Sequence, residues 1–272
     1  IDESLQNKLR GLSRIKLYPD AADTDGLSRL QTLLAHLKQT HPDNALGSLE
    51  MTSAPLPQTD WEESWKDNYP PQPVGQRLVV LPYWLAETDT DGRLPVVLDP
   101  GLTFGTGAHP STQMVMESME QQIRPGDHCL DLGSGSGILS ITALRLGAQS
   151  AIGVDIDPKA EDIARENAGY NGFSSPEFTA LTGNVLSDKA LMTRLTGIHH
   201  DLVLVNIVAD VIISLAPVLP TLLDSNSRLI LSGILDTRLP DVLAALERAG
   251  LAVISTRAKE EWRCVCAKKM EK

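Results

Sequence analysis

Residues Cys129 to Asp157, CLDLGSGSGILSITALRLGAQSAIGVDID, constrain the chain more than any other stretch. A short apolar run meets an acidic residue, Asp131, and glycines follow at alternate positions, Gly133, Gly135 and Gly137. A helical pattern comes next, then a second apolar run, Ala151 to Val154, ending in Asp155. Strand, glycine turn, helix, strand and acidic tip form the arrangement that a nucleoside cofactor needs. Glycine lacks a side chain, so the turn can take positive φ and let a ligand lie against bare backbone. The amides of the turn and of the first helical residues are expected to point at that ligand. An acidic residue ending the second strand can accept both hydroxyls of a ribose.

The spacing separates one nucleoside class from another. A dinucleotide fold uses G-x-G-x-x-G, whereas this turn reads G-x-G-x-G with Ile138 at the last position of that pattern. Asp131 also sits where a pyrophosphate would be repelled. The sulfonium and α-ammonium of S-adenosylmethionine suit a carboxylate there. A nicotinamide-dependent dehydrogenase is disfavoured on both counts. An ordinary glycine-rich βα turn is the bland alternative, and two placed carboxylates argue against it.

Composition narrows the class. A chain of 272 residues forms one large domain or two smaller ones and is long enough for a substantial core. Its hydrophobic share, 42%, is ordinary for a globular protein. No apolar run approaches a membrane span and no secretory signal pattern opens the chain, so no membrane partner is expected. Cys129, Cys264 and Cys266 make neither a disulfide framework nor a zinc set, which fits a reducing cytoplasm. No metal is expected. A net charge of −11 argues against a broad nucleic-acid footprint and suits a cationic partner.

Three regions are predicted: an N-terminal α/β domain over 1–54, a Pro/Trp-rich linker over 55–95, and a catalytic domain over 96–272. In the first, Arg14 to Tyr18 reads as a strand, Thr24 to Lys38 as an amphipathic helix, and Leu46 to Thr52 as another strand. Leu27, Leu30, Leu33, Leu34 and Leu37 give that helix its spacing. From Val96 onward strand and helix alternate, which predicts a doubly wound, Rossmann-like seven-stranded sheet covered on both faces. Strands are expected near 128–132, 150–155, 177–182, 200–205, 228–232, 251–257 and 262–268. Helices are expected near 111–122, 137–146, 158–171, 187–195, 209–222 and 239–249. The last two strands predict an antiparallel hairpin at one sheet edge.

Two further segments carry chemistry. Leu98 to Thr112, LDPGLTFGTGAHPST, has three glycines and four hydroxyl residues, a poor strand or helix but a good binding loop. Thr112 falls in the first turn of a helix, within reach of a cofactor carboxylate or hydroxyl. His109 is open to two readings, a polar contact to cofactor or substrate, or a cap on the local turn. Phe104 either stacks on the cofactor or anchors the loop. In Asp201 to Asp210, DLVLVNIVAD, Asn206 ends an apolar strand, where open α/β sheets keep their sites. Its amide oxygen can accept hydrogen bonds from an amine and orient the nitrogen lone pair; the bland alternative is a turn residue. Asn184 ends the third strand, where it could meet an adenine edge. His199 and His200 read as surface loop residues without ligand partners.

With these residues in view, the chain resembles the ribosomal protein L11 methyltransferase family, bacterial enzymes that modify a large-subunit ribosomal protein. The matching segments are WEESWKDNYPPQPVGQRLVVLPYW (Trp61 to Trp84), LDPGLTFGTGAHPST, the glycine segment through VDIDP, VNIVAD, LILSGIL (Leu229 to Leu235) and a closing EEW, covering roughly residues 60 to 268. The resemblance implies S-adenosylmethionine as methyl donor, S-adenosylhomocysteine as product, and ribosomal protein L11 as substrate, methylated on its N-terminal α-amine and lysine side chains. It implies cofactor contacts from Thr112, Gly133, Asp155 and Asn206, with Asp131, Gly135, Phe104, Gly105, Thr106, His109 and Asn184 as further candidates. Asn206 is the catalytic candidate. Val208 stands where the family usually has leucine. Residues 1–54 show only the later part of the small α/β domain with which the family usually begins. Two alternatives stay open: a methyltransferase for another protein or a small amine, and a module that binds S-adenosylmethionine without turnover.

Overall fold

The computed structural model describes residues 24–41, 48–52, 66, 69–100 and 107–270. Two compact units divide the chain, Ile1–Trp61 and Glu62–Lys272. In the first, α1 (Thr24–Thr40) forms as its leucine spacing predicts, with Asp25 in its first turn and Lys38 in its last, both placed to suit the helix dipole. Leu27, Leu30, Leu34 and Leu37 share a half-buried stripe, and Leu33 is exposed. Residues 48–52 are not in a strand, against the expectation for Leu46 to Thr52. Arg14 to Tyr18 lies outside the described residues.

The second unit contains two sheets. The smaller has order β1 (Gln72–Val74), β2 (Leu78–Pro82), β3 (Leu94–Leu98), with β1 antiparallel and β3 parallel to β2. Two of these strands therefore lie inside the segment read as a linker. Prolines drew that expectation, but Val79, Val80 and Leu81 are buried and Pro82 only ends its strand.

The larger sheet uses β4 (His128–Leu132), β5 (Ser150–Asp155), β6 (Phe178–Thr182), β7 (Leu202–Asn206), β8 (Arg228–Leu235), β9 (Leu251–Lys259) and β10 (Trp262–Lys269). Their order is β6-β5-β4-β7-β8-β10-β9. The pairs from β6 to β8 are parallel, and β10 is antiparallel to both β8 and β9. The seven-stranded sheet and its terminal hairpin are as expected.

Side-chain alternation explains why both faces are covered. Cys129, Leu202, Leu204, Ile230, Cys264 and Cys266 join one core with α2 (Pro110–Gln122), α3 (Ile138–Arg145) and α4 (Pro158–Tyr170). Leu130, Leu132, Val203, Val205, Leu229 and Leu231 join the other with α5 (Lys189–Thr196), α6 (Ala209–Leu215) and α7 (Leu239–Arg248). Each aliphatic side chain so buried contributes roughly 1.5–3 kcal/mol. Both sheet faces being apolar, Leu202 to Val205 reads as a continuous apolar run.

Helix ends follow local chemistry. Asp157 caps α4 through Lys159 N at 3.0 Å, with Pro158 in the first turn, and Asp188 caps α5 through Leu191 N at 3.0 Å. The expected helix over 209–222 is shorter, because Pro217 and Pro220 cannot continue it; a single 3-10 turn, Leu219–Thr221, follows instead.

Candidate functional site

In this strand order β4 and β7 are neighbours whose crossovers leave in opposite directions, so a crevice opens beyond their carboxyl ends. Gly133 follows β4, Asp155 ends β5 and Asn206 ends β7 at that edge of the sheet.

Asp131, in β4, is completely buried. Its side chain takes the place of a core residue, and Oδ2 accepts from Ser140 N at 3.2 Å and Ser140 Oγ at 2.9 Å, in the first turn of α3. Oδ1 has no hydrogen-bond partner. Burial pushes the carboxyl up to about 7, the Ser140 bonds oppose that rise, and the charge of Asp155 adds to it.

The turn itself departs from expectation. Gly133, Gly135 and Gly137 all have positive φ. Their amides are nevertheless engaged within the protein: Gly133 N and Ser134 N donate to Val154 O at 2.8 and 3.1 Å, Gly137 N to Ser134 O at 2.8 Å, and Gly135 N to Asp155 Oδ2 at 2.9 Å. What these residues offer a ligand is bare Cα surface flanked by carboxylates. That suits a cofactor without a pyrophosphate. A Cβ on Gly133 would lie 2.5 Å from Ile207 Cγ2, so the turn and the end of β7 are in direct contact.

Asp155 ends β5, half-buried, with Oδ2 held by Gly135 N and Oδ1 by Asp157 N at 3.0 Å. Each carboxylate oxygen keeps a further lone pair, enough for two hydroxyl donors. Asn184 follows β6 and is exposed, and its Oδ1 accepts from Leu186 N at 2.9 Å. It closes a local Asx turn before α5.

Across the crevice Asn206 ends β7. Its Nδ2 donates to Thr112 Oγ1 at 3.1 Å, while Oδ1 is buried and has no partner. Thr112 is itself buried in the first turn of α2. His109 caps that helix: Nδ1 accepts from Ser111 N at 3.2 Å and pairs with Ser111 Oγ at 2.7 Å. The turn-capping reading of His109 is therefore seen. Its ring also meets Trp262 edge-on, with centroids 4.6 Å apart. Phe104, Gly105 and Thr106 lie outside the described residues.

Three contributors were missed from sequence. Ser140 holds Asp131, Trp262 holds the ring of His109, and Ser232 Oγ donates to Ser111 O at 3.1 Å, tying α2 to β8. Ser140 left a trace, a hydroxyl in the first turn of the helix that follows the acidic strand, and Trp262 one only as the end of the matching EEW segment.

A Cβ-free floor and two buried acceptor oxygens, Asp131 Oδ1 and Asn206 Oδ1, are what a compact cationic nucleoside with an amine neighbour requires. S-adenosylmethionine fits that acceptor set. The sequence model for "Ribosomal protein L11 methyltransferase (PrmA)" matches residues 6–270. The chain belongs to that family. A ribosomal protein L11 methyltransferase of Exiguobacterium sp. is 36% identical over 259 residues, 94% of this chain and 79% of the relative. One of Pelotomaculum thermopropionicum is 37% identical over 258 residues, 95% and 80% of the two chains. A crystal structure of the ribosomal protein L11 methylase of Lactobacillus delbrueckii subsp. bulgaricus superimposes with a TM-score of 0.67 at 28% identity, covering 75% of this chain and 100% of that one. Membership of the PrmA family makes this chain an S-adenosylmethionine-dependent protein methyltransferase. Among the described residues no cluster of His, Cys, Asp and Glu could hold a metal ion, and no helix is long and apolar enough to cross a membrane.

Proposed function

We propose that the chain methylates amino groups of ribosomal protein L11, the N-terminal α-amine and lysine side chains, in the cytoplasm. The observation that carries this is Asn206 Oδ1, a buried acceptor left without a partner while Thr112 holds the other end of the amide. A buried carbonyl oxygen without a donor is costly, and a neutral amine supplies that donor.

S-adenosylmethionine, when bound, supplies a methyl group already activated by its sulfonium. The chain's residues then bind and orient. Asp155 accepts the ribose hydroxyls, Gly133 and Gly135 floor the site, and Asp131 faces the cationic end. Thr112 fixes the rotation of the Asn206 amide, so Oδ1 accepts an N–H of the incoming amine and its lone pair turns away from the asparagine. An ammonium has no lone pair to aim, so the amine loses its proton to solvent first. In this reading residues 1–54 recognise the substrate protein. His109, Asn184, Phe104, Gly105 and Thr106 border the cofactor.

The test is intact-mass analysis of purified ribosomal protein L11 incubated with the enzyme and S-adenosylmethionine. Mass gains in methyl units, lost in Asn206→Ala while calorimetric cofactor binding persists, are the expected result. An unchanged L11 mass with the wild-type enzyme overturns the substrate, and full activity of Asn206→Ala overturns the role of Asn206.

A further inference from the structure

Strand β3 ends beside the glycine turn, and its outer edge is bound by side chains. Leu94 N donates to Arg77 O at 2.7 Å, on the β2 side. Val97 and Asp99, three and five residues on, therefore direct their amides the other way. Asn171, at the C-cap of α4, pairs with Val97 as a strand would: Oδ1 accepts from Val97 N at 3.0 Å and Nδ2 donates to Val97 O at 2.7 Å. Asn167, one turn earlier, accepts from Asp99 N at 2.9 Å through Oδ1. Four residues of helix rise about 6 Å and two of strand about 6.6 Å, so the two amides match alternate positions of β3.

The second end of each amide differs. Asn171 Nδ2 returns to its own helix at Asn167 O, 2.7 Å away. Asn167 Nδ2 crosses to Ser136 O at 2.8 Å, inside the glycine turn. Asn167 is completely buried. Ala164, one turn before it, sits against Gly137, whose added Cβ would lie 3.0 Å from the alanine Cβ. Capping a strand edge needs only the Asn171 pattern. The link to Ser136 has no such purpose.

We propose that Asn167 is a positioning residue of the cofactor site: one buried amide sets the glycine turn at Ser136 against the exit of β3 at Asp99. Ligand in the turn and order at Asp99 are thereby coupled. This rests on the reading that the turn holds S-adenosylmethionine.

The full chain is titrated with S-adenosylhomocysteine by calorimetry as wild type, Asn167→Asp and Asn171→Asp. Asn167→Asp keeps an acceptor for Asp99 N but loses the donor to Ser136 O. It is expected to bind about tenfold more weakly or worse, the scale of one buried hydrogen bond lost. Its KM for cofactor rises while kcat at saturation changes little. Asn171→Asp is expected to lower Tm and leave the Kd within about twofold. In the wild type, S-adenosylhomocysteine is expected to slow hydrogen exchange at Asp99 N, a measurement that decides the matter if Asn167→Asp does not fold. Equal binding by Asn167→Asp, or exchange at Asp99 indifferent to ligand, overturns the proposal alone. Failure of the wild type to bind S-adenosylhomocysteine overturns the cofactor reading and this proposal with it.

Discussion

In the proposed site, Asp131 links the fold to the chemistry through one proton. Its folded carboxyl titrates near 7 instead of the ordinary 3.8, so between those values the native state holds a proton that the unfolded chain has lost. Stability of the ligand-free protein is therefore expected to fall as pH rises from about 4 to about 7. At about 1.4 kcal/mol per unit, this one group accounts for a change on the order of 4 kcal/mol. Asp131→Asn should remove that slope in pH-dependent thermal melts and weaken cofactor binding. A cationic ligand favours the ionised form, so affinity should climb toward pH 7 and level off above it, with proton release visible by calorimetry in two buffers of different ionisation enthalpy. A flat affinity from pH 6 to 8 would remove Asp131 from the binding site. Asp155→Ala should weaken cofactor binding by about 1.5–3 kcal/mol, the range for hydrogen bonds to charged groups; unchanged calorimetric affinity would show the ribose elsewhere. Asp131, Asp155 and Asn206 were legible as candidates because each is polar within or at the end of an apolar strand. Asn167 and Trp262 were not, because their partners are distant in sequence and, for Asn167, entirely backbone.

At the scale of elements, β7 and β8 meet where Asn206 leaves the sheet. Gly233 has a φ of +80°, and a Cβ there would lie 2.5 Å from Ile207 O and 2.9 Å from Ile207 C. Backbone cannot rotate away as a side chain can. Gly233→Ala is expected to destabilise the protein by about 2 kcal/mol or more and to displace the β7–α6 turn. Denaturant unfolding reads the first effect and kcat the second; a variant equal to wild type in both would show that the turn relaxes freely. Five strands of the main sheet, β4 to β8, were legible because buried parallel strands concentrate aliphatic residues between turn signals, and β9 and β10 because only a short turn separates them. Two features were obscured. Prolines at 70, 71, 73 and 82 masked β1 and β2, which are held partly by Glu120 of α2 accepting from Gln76 N and Arg77 N at 3.0 and 2.7 Å. Glycines implied amides free for ligand, whereas the turn spends three of those N–H groups on Val154 and Asp155.

On the scale of the whole molecule, the two ends of the sheet carry different duties. At the amino end, Asp201 Oδ2 accepts from His128 N at 2.9 Å, and His199 bridges Asp224 at 2.5 Å and Asp201 at 3.0 Å. These carboxylates raise the His199 pKa. Its stabilising contribution is present below the ordinary imidazole value and is lost as pH rises through the folded one. His199→Gln should therefore lower Tm at pH 6 and have little effect at pH 8.5, with cofactor affinity unchanged because the crevice lies at the opposite end. A Tm loss equal at both pH values would count against the bridge. His200, expected at the surface, is buried with Nε2 on Leu195 O at 2.9 Å, and burial lowers its pKa. Adjacent histidines carry no sequence signal for that difference. The sheet order has one more consequence, for biosynthesis. Strand β10, made after β9, belongs inside the sheet, between β8 and β9. While the chain is emerging from the ribosome, the flank of β8 has no permanent neighbour until residues 262–269 arrive. The nascent protein must keep that unpaired strand edge from mispairing, and a stop codon shortly before Trp262 would damage the interior of the sheet, not trim its rim.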